Sequence, residues 1–212
     1  MENIHETTKE IKKSLRLAMN GIVSAHQRNQ GLNYKINFGV EIPRLKEIAQ
    51  KYPQSKELAL ALWSDNIREC KILAILLLPP CNYSEIATEW IAQTPFTEVA
   101  DHLSKTILCK LPLATAKAIE WTGNPEGLFG YCGYLTLNHL LRDGASLTTE
   151  QEEIFYKNAT ELANYSPTGT LTRYAVSAVT RYIEESAERA ARLAAATPEG
   201  SALHSIAVEY CE

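Results

Sequence analysis

The sequence predicts an all-α protein: an α-solenoid of about five antiparallel helix pairs, in one domain spanning residues 1–212. Three observations carry this. Apolar residues recur at helical spacing almost throughout, while alternating strand patterns of useful length are missing. Glycines and prolines fall between the periodic segments, and several segments open at a capping residue. Finally, LALALWSDN (58–66), SEIATEWIAQTP (84–95) and TAKAIEWTGNP (115–125) each close a helix near a tryptophan, so that Trp63, Trp90 and Trp121 stand 27 and 31 residues apart. A helix pair recurring at that interval buries its apolar faces against its neighbours and lines a concave surface with its second helices. The tryptophans read as packing residues at turn ends, with base stacking as the alternative role.

Taken in order, the first helix places Ile4, Ile11, Leu15, Ala18 and Ile22 on one face and Lys9, Lys12, Lys13 and Arg16 on the other. Pro43 opens a short basic helix containing Arg44 and Lys46. Asn66 with Glu69 caps the next strong start, and its apolar run ends at Pro79 and Pro80, far short of a membrane span. Asn82 with Glu85 and Thr148 with Gln151 mark two further starts, while Thr94, Asn124 and Ser166 each precede a proline suited to a first helical turn. These signals divide the chain into about ten short helices.

The 45% apolar content supplies a substantial core, and the formal charge is −4. That charge is unevenly distributed. Residues 1–71 carry 12 Lys and Arg against 8 Asp and Glu, whereas 72–212 carry 9 against 17, so the first third is the better match for a polyanion. Five cysteines without a C-x-x-C pair are expected to be buried free thiols of a reducing compartment, and the protein is expected to be soluble and cytoplasmic. The five histidines show no ligand spacing, so neither a metal nor a cofactor is expected.

The segment YKINFGVEIPRLKEIAQKY followed by KELALALWSDNIRECKILAILLLPP resembles the opening of the AlkD-like DNA alkylation repair family, whose members are HEAT-like helical-repeat proteins. The resemblance rests on Tyr34, the Gly39-Val40 turn, Pro43, Leu62-Trp63, Arg68-Glu69 and Lys71-Ile72-Leu73-Ala74, and extends by helix order to about residue 185. It implies binding of duplex DNA in the concave face, and removal of cationic N3- or N7-alkylated purines without enclosing the base in a pocket. The alkylated base is already a cationic leaving group, so a carboxylate near the deoxyribose, with aromatic faces and a cation beside it, would suffice.

Active members of the family carry a Trp-x-x-x-Asp arrangement and an arginine on the corresponding helix of the next repeat. The aspartate falls on Asp101. Thr97 stands at the tryptophan position, with Phe96 displaced by about 100° around the helix. Between Lys117 and Arg142 there is no arginine, and Tyr131 or Tyr134 occupies that neighbourhood, so the implied N-glycosylase site is reduced. Asp101 has a plainer reading as well, as one half of an (i, i+4) surface ion pair with Lys105.

The candidate DNA contacts are Lys9, Lys12, Lys13 and Arg16 on the first helix, then Arg68, Lys71, Lys105, Arg173 and Arg181. Arg173, Ser177 and Arg181 share one helical face, whereas Glu184, Glu185 and Glu188 would repel DNA. The alternative function is a non-enzymatic helical-repeat scaffold for protein–protein interaction, favoured by the acidic balance and separated from the first by the sign of the groove potential.

Overall fold

The computed structural model describes residues 2–211. Thirteen α-helices and two short 3-10 turns account for the regular structure among the described residues, and none of these residues forms a strand. The fold is an all-α helical repeat. No helix among the described residues is long and apolar enough to cross a membrane. The chain divides into two compact units, one running to Ile86 and the other from Ala87.

The first unit contains α1 (Glu2–Leu17), α2 (Gly21–Asn29), α3 (Ile42–Ala49), α4 (Lys56–Trp63) and α5 (Arg68–Leu77). Helix α1 buries Thr8, Ile11 and Leu15 and packs on α4, while α4 and α3 pack on α5. The first helix is shorter than its apolar period suggests. Asn20 ends it, because its side chain accepts from the backbone N–H groups of Ile22 and Val23 and starts α2; Ile22 is consequently 85% exposed rather than on the buried face.

Between α2 and α3 the extended segment 36–40 is held on both sides. Asn20 N–H donates to the Phe38 carbonyl, the Ser24 hydroxyl to the Asn37 carbonyl, and the Asn37 amide to Gln27. From the other side, the buried Glu69 carboxylate accepts from the backbone N–H groups of Phe38 (3.1 Å) and Val40 (3.2 Å). Its neighbour Arg68 donates to the Val40 carbonyl at 2.9 Å and to Glu69 at 3.1 Å. Gly39 is required here: its φ is +70°, and a Cβ would come within 2.2 Å of the Asn20 carbonyl oxygen. The Gly39-Val40 and Arg68-Glu69 motifs are therefore two halves of one structural staple. Glu69 belongs to that staple and not to a capping box with Asn66, since the residue preceding α5 is Ile67 and makes no side-chain cap.

Helix α6 (Tyr83–Ala92) spans the division between the units. The second unit contains α7 (Thr97–Thr106), α8 (Ala114–Thr122), α9 (Phe129–Arg142), α10 (Thr149–Tyr165), α11 (Thr170–Ile183), α12 (Ala187–Ala196) and α13 (Ala202–Glu209). Helix α9 packs on α7, α8 and α11, and α10 on α8 and α11, so α7, α9 and α11 follow one another as a layer. Gly133 lets α9 approach α8 closely; a Cβ there would lie 2.7 Å from the Thr122 nitrogen and 2.8 Å from the Ala118 carbonyl oxygen. Tyr134, Phe155, Tyr156 and Tyr182 form an aromatic core with centroids 6.0–6.4 Å apart, each fully buried ring contributing about 1.5–3 kcal/mol.

Thr148 caps α10 in a reciprocal box with Gln151, as its spacing predicts. Helix α6 starts directly after Asn82, whose amide donates to Glu85, whereas three other predicted caps are corrected. Thr94 is buried and donates to the Trp90 carbonyl, Asn124 accepts from Glu126 N–H in a turn, and the Ser166 carbonyl accepts from Thr172; α7, α9 and α11 start later, after Phe96, Leu128 and Gly169. All three tryptophans are buried, in keeping with packing. All five cysteines are free, but only Cys70 and Cys132 are buried; Cys109 is partly buried, and Cys81 and Cys211 are exposed.

Glu152 of α10 joins the second unit from within. Its carboxylate accepts from the Arg192 guanidinium at 2.5 and 2.8 Å and from the Tyr182 hydroxyl at 2.8 Å. Burial pushes its carboxyl up, but Arg192 and Tyr182 together outweigh that and hold it below the ordinary range. A depressed folded value stabilises the fold above the unfolded pKa of about 4.3 and loses that contribution as pH falls through the folded value. Glu152→Gln is therefore expected to lower the melting temperature at pH 7 and to narrow its deficit against wild type at pH 3. Parallel deficits at both pH values would show that the carboxylate charge contributes nothing.

Candidate functional site

Asp101 lies midway along α7, beside the buried Val99, Ala100, Leu103 and Ser104 that seat the helix, and its side chain is 49% exposed. It does not pair with Lys105. Its Oδ1 faces α9, 3.4 Å from Nε2 of His139, whose side chain is only 15% exposed. At that separation, and with the ring nitrogen out of line for a proper hydrogen bond, the contact is a loose electrostatic pairing. The His139 imidazole holds the Asp101 carboxyl below the usual carboxylate range against the opposing effect of partial burial, with smaller attractions from His102 and Lys105.

His139 is 38 residues from Asp101, and only the packing of α9 on α7 brings them together. Tyr134, one of the two tyrosines in the neighbourhood of the missing arginine, is fully buried in the aromatic core and cannot face a substrate. Tyr131 is partly exposed and meets Tyr174 of α11 edge-on at 5.9 Å. Asn138 donates to the Tyr174 carbonyl, and Ser177 donates to Asn138. The same face of α11 carries Arg173, which donates to Thr170, and Arg181, which lies 3.8 Å from Glu184. Within the layer of α7, α9 and α11, the Asp101 carboxylate is thus accompanied by an enclosed histidine, a tyrosine pair and two arginines.

The candidate cations of the first unit divide sharply. Arg68 is corrected: it is 2% exposed and belongs to the staple, so it cannot contact an external polyanion. Lys71 is partly buried, its ammonium sitting over the Trp63 ring at 4.4 Å and donating to the Trp63 carbonyl, with burial holding its pKa down. Lys12 is bound to Asp65 at 2.8 Å and Lys9 to Glu6 at 3.0 Å. Lys13 and Arg16 remain exposed. No cluster of three or more potential metal ligands occurs among the described residues.

A family model described as DNA alkylation repair enzyme matches residues 11–197. Neither the curated proteins nor the solved structures gave a match.

Proposed function

The chain belongs to the DNA alkylation repair enzyme family, and from that premise we propose that it binds duplex DNA and releases cationic alkylated purines through the carboxylate of Asp101. The observation that carries this reading is the setting of Asp101, half exposed and with its carboxyl held below the usual range by a largely enclosed histidine 3.4 Å away. In a purine alkylated at N3 or N7 the positive charge is already on the leaving group. The glycosidic C1′–N bond breaks with its electron pair passing to the base, the positive charge moves to the deoxyribose, and water then adds at C1′ and loses a proton. A fixed anion beside the sugar stabilises that charge in a partly dehydrated setting. His139 acts as a positioning residue on the side of the carboxylate away from solvent. Tyr131 and Tyr174 offer ring faces and edges to the sugar, and Arg173 and Arg181, about 12 Å apart along α11, suit phosphates of one strand.

The reduced site, with Thr97 where a tryptophan is expected, implies slow base release. The test is release of 7-methylguanine and 3-methyladenine from duplex DNA, run beside a binding assay on the same duplex. Release above the protein-free rate together with binding is the expected result. Absence of both release and binding would overturn the proposal and leave the protein-scaffold alternative.

A further inference from the structure

Between Glu10 and Glu41 the chain contains no acidic residue, yet it carries Lys12, Lys13, Arg16, Arg28 and Lys35 in a protein of net charge −4. The corner where α1 meets α2 falls inside this stretch. It also displays three of the largest apolar exposures among the described residues: Leu17 at 82%, Met19 at 63% and Ile22 at 85%. Isolated exposed apolar residues are ordinary, but three within six positions at one helix junction concentrate apolar surface that water disfavours.

Both helices are anchored through their inner sides. Leu15 and Ile11 turn the opposite face of α1 into the core, so Leu17 points outward one turn after Lys13. Helix α2 is pinned by the Asn20 cap and by Ser24 and Gln27, which hold the 36–40 segment on its inner side, leaving Ile22, Ala25 and Arg28 outward. No carboxylate of this stretch neutralises the corner. Lys12 is already paired with Asp65 and is left out of the corner's free cations.

We propose that the α1–α2 corner is a duplex-DNA contact surface in which Leu17, Met19 and Ile22 press against the sugars and base edges of the minor groove while Lys13, Arg16 and Arg28 take the flanking phosphates. The proposal rests on the DNA-binding reading above and adds to it where and how this unit touches the duplex. Apolar side chains set among cations are the means by which minor-groove proteins gain surface beyond phosphate contact. The absence of acids is the charge complement that a polyanion requires.

The two kinds of contact leave different marks on a salt titration. Phosphate contacts release counterions, so Lys13→Gln, Arg16→Gln and Arg28→Gln combined should flatten the plot of log affinity against log salt by about 0.9 for each phosphate that is no longer neutralised. Apolar contacts release none. Leu17→Ser, Met19→Ser and Ile22→Ser combined should therefore lower affinity about tenfold or more at every salt concentration with the slope unchanged. All six positions are exposed, and melting temperatures are expected to stay at the wild-type value. Duplex binding by the apolar variant equal to wild type would overturn the contact surface while leaving the DNA reading intact. Failure of the wild type to bind duplex at low salt would overturn both. Binding of the wild type, but not the apolar variant, to phosphatidylserine vesicles with no effect of these substitutions on DNA would assign the corner to a membrane surface instead.

Discussion

Glu69→Ala is expected to destabilise the protein by about 3–5 kcal/mol, the usual consequence of removing one partner from a buried charge pair. Neither member is accessible, the side chains of Arg68 and Glu69 being 3% and 0% exposed. Truncation would strand the guanidinium away from its carboxylate and leave the backbone N–H groups of Phe38 and Val40 without the acceptor they now share. The damage would spread, because the same segment anchors α2 through Asn20, Ser24 and Asn37. Glu69→Gln gives a graded comparison, since it keeps an acceptor oxygen and the side-chain shape but removes the charge. Urea unfolding of the three proteins at one pH measures the series, with the alanine variant least stable and the glutamine variant intermediate. A loss below about 1 kcal/mol for Glu69→Ala, the scale of one ordinary hydrogen bond, would show that the staple is dispensable.

This staple also explains which parts of the molecule are legible in its sequence. Helix type is legible almost everywhere, because apolar period depends on local geometry alone. Boundaries are less so. The spacing Leu15, Ala18, Ile22 carries the period straight through residue 20, and the break comes from one side chain, Asn20, for which the Asn-Gly pair is the available signal. Thr94 and Ser166 precede prolines as caps do, yet Thr94 bonds back to the helix before it and the Ser166 carbonyl serves a later threonine.

The site is split in the same way. Asp101 is found through the family resemblance, whereas nothing in the spacing points to His139, whose nearness to Asp101 is a product of helix packing. Arg68 and Lys71 look like surface cations because they begin a helix among polar residues. The burial of Arg68 beside the Gly39 turn and the docking of the partly buried Lys71 on the Trp63 ring are set by packing that no local pattern reveals. Exposure of Ile22 is hidden for the converse reason, since it continues the helical spacing of Ile11, Leu15 and Ala18 and so reads as core.

Asp101→Asn is expected to lower the rate of base release by about 10²–10³-fold, the scale seen when one preorganised electrostatic group is removed from a reacting centre. The substitution keeps size and hydrogen-bonding shape and removes only the charge, at a half-exposed position where the fold makes little use of it. Affinity for undamaged duplex should hardly change, because the cations assigned to phosphates are untouched. The pH dependence sharpens the test. With His139 beside it, Asp101 is held below the ordinary aspartate value of about 3.9, so the carboxylate stays charged throughout the range from about pH 5 to pH 8. The ratio of wild-type to variant rates is therefore expected to stay constant across that range. A ratio collapsing toward unity already at the acidic end would mean that partial burial raises the carboxyl above its ordinary range, against the lowering by His139. Base release by Asp101→Asn at the wild-type rate would remove Asp101 from the chemistry altogether and turn the search to other groups on the faces of α9 and α11.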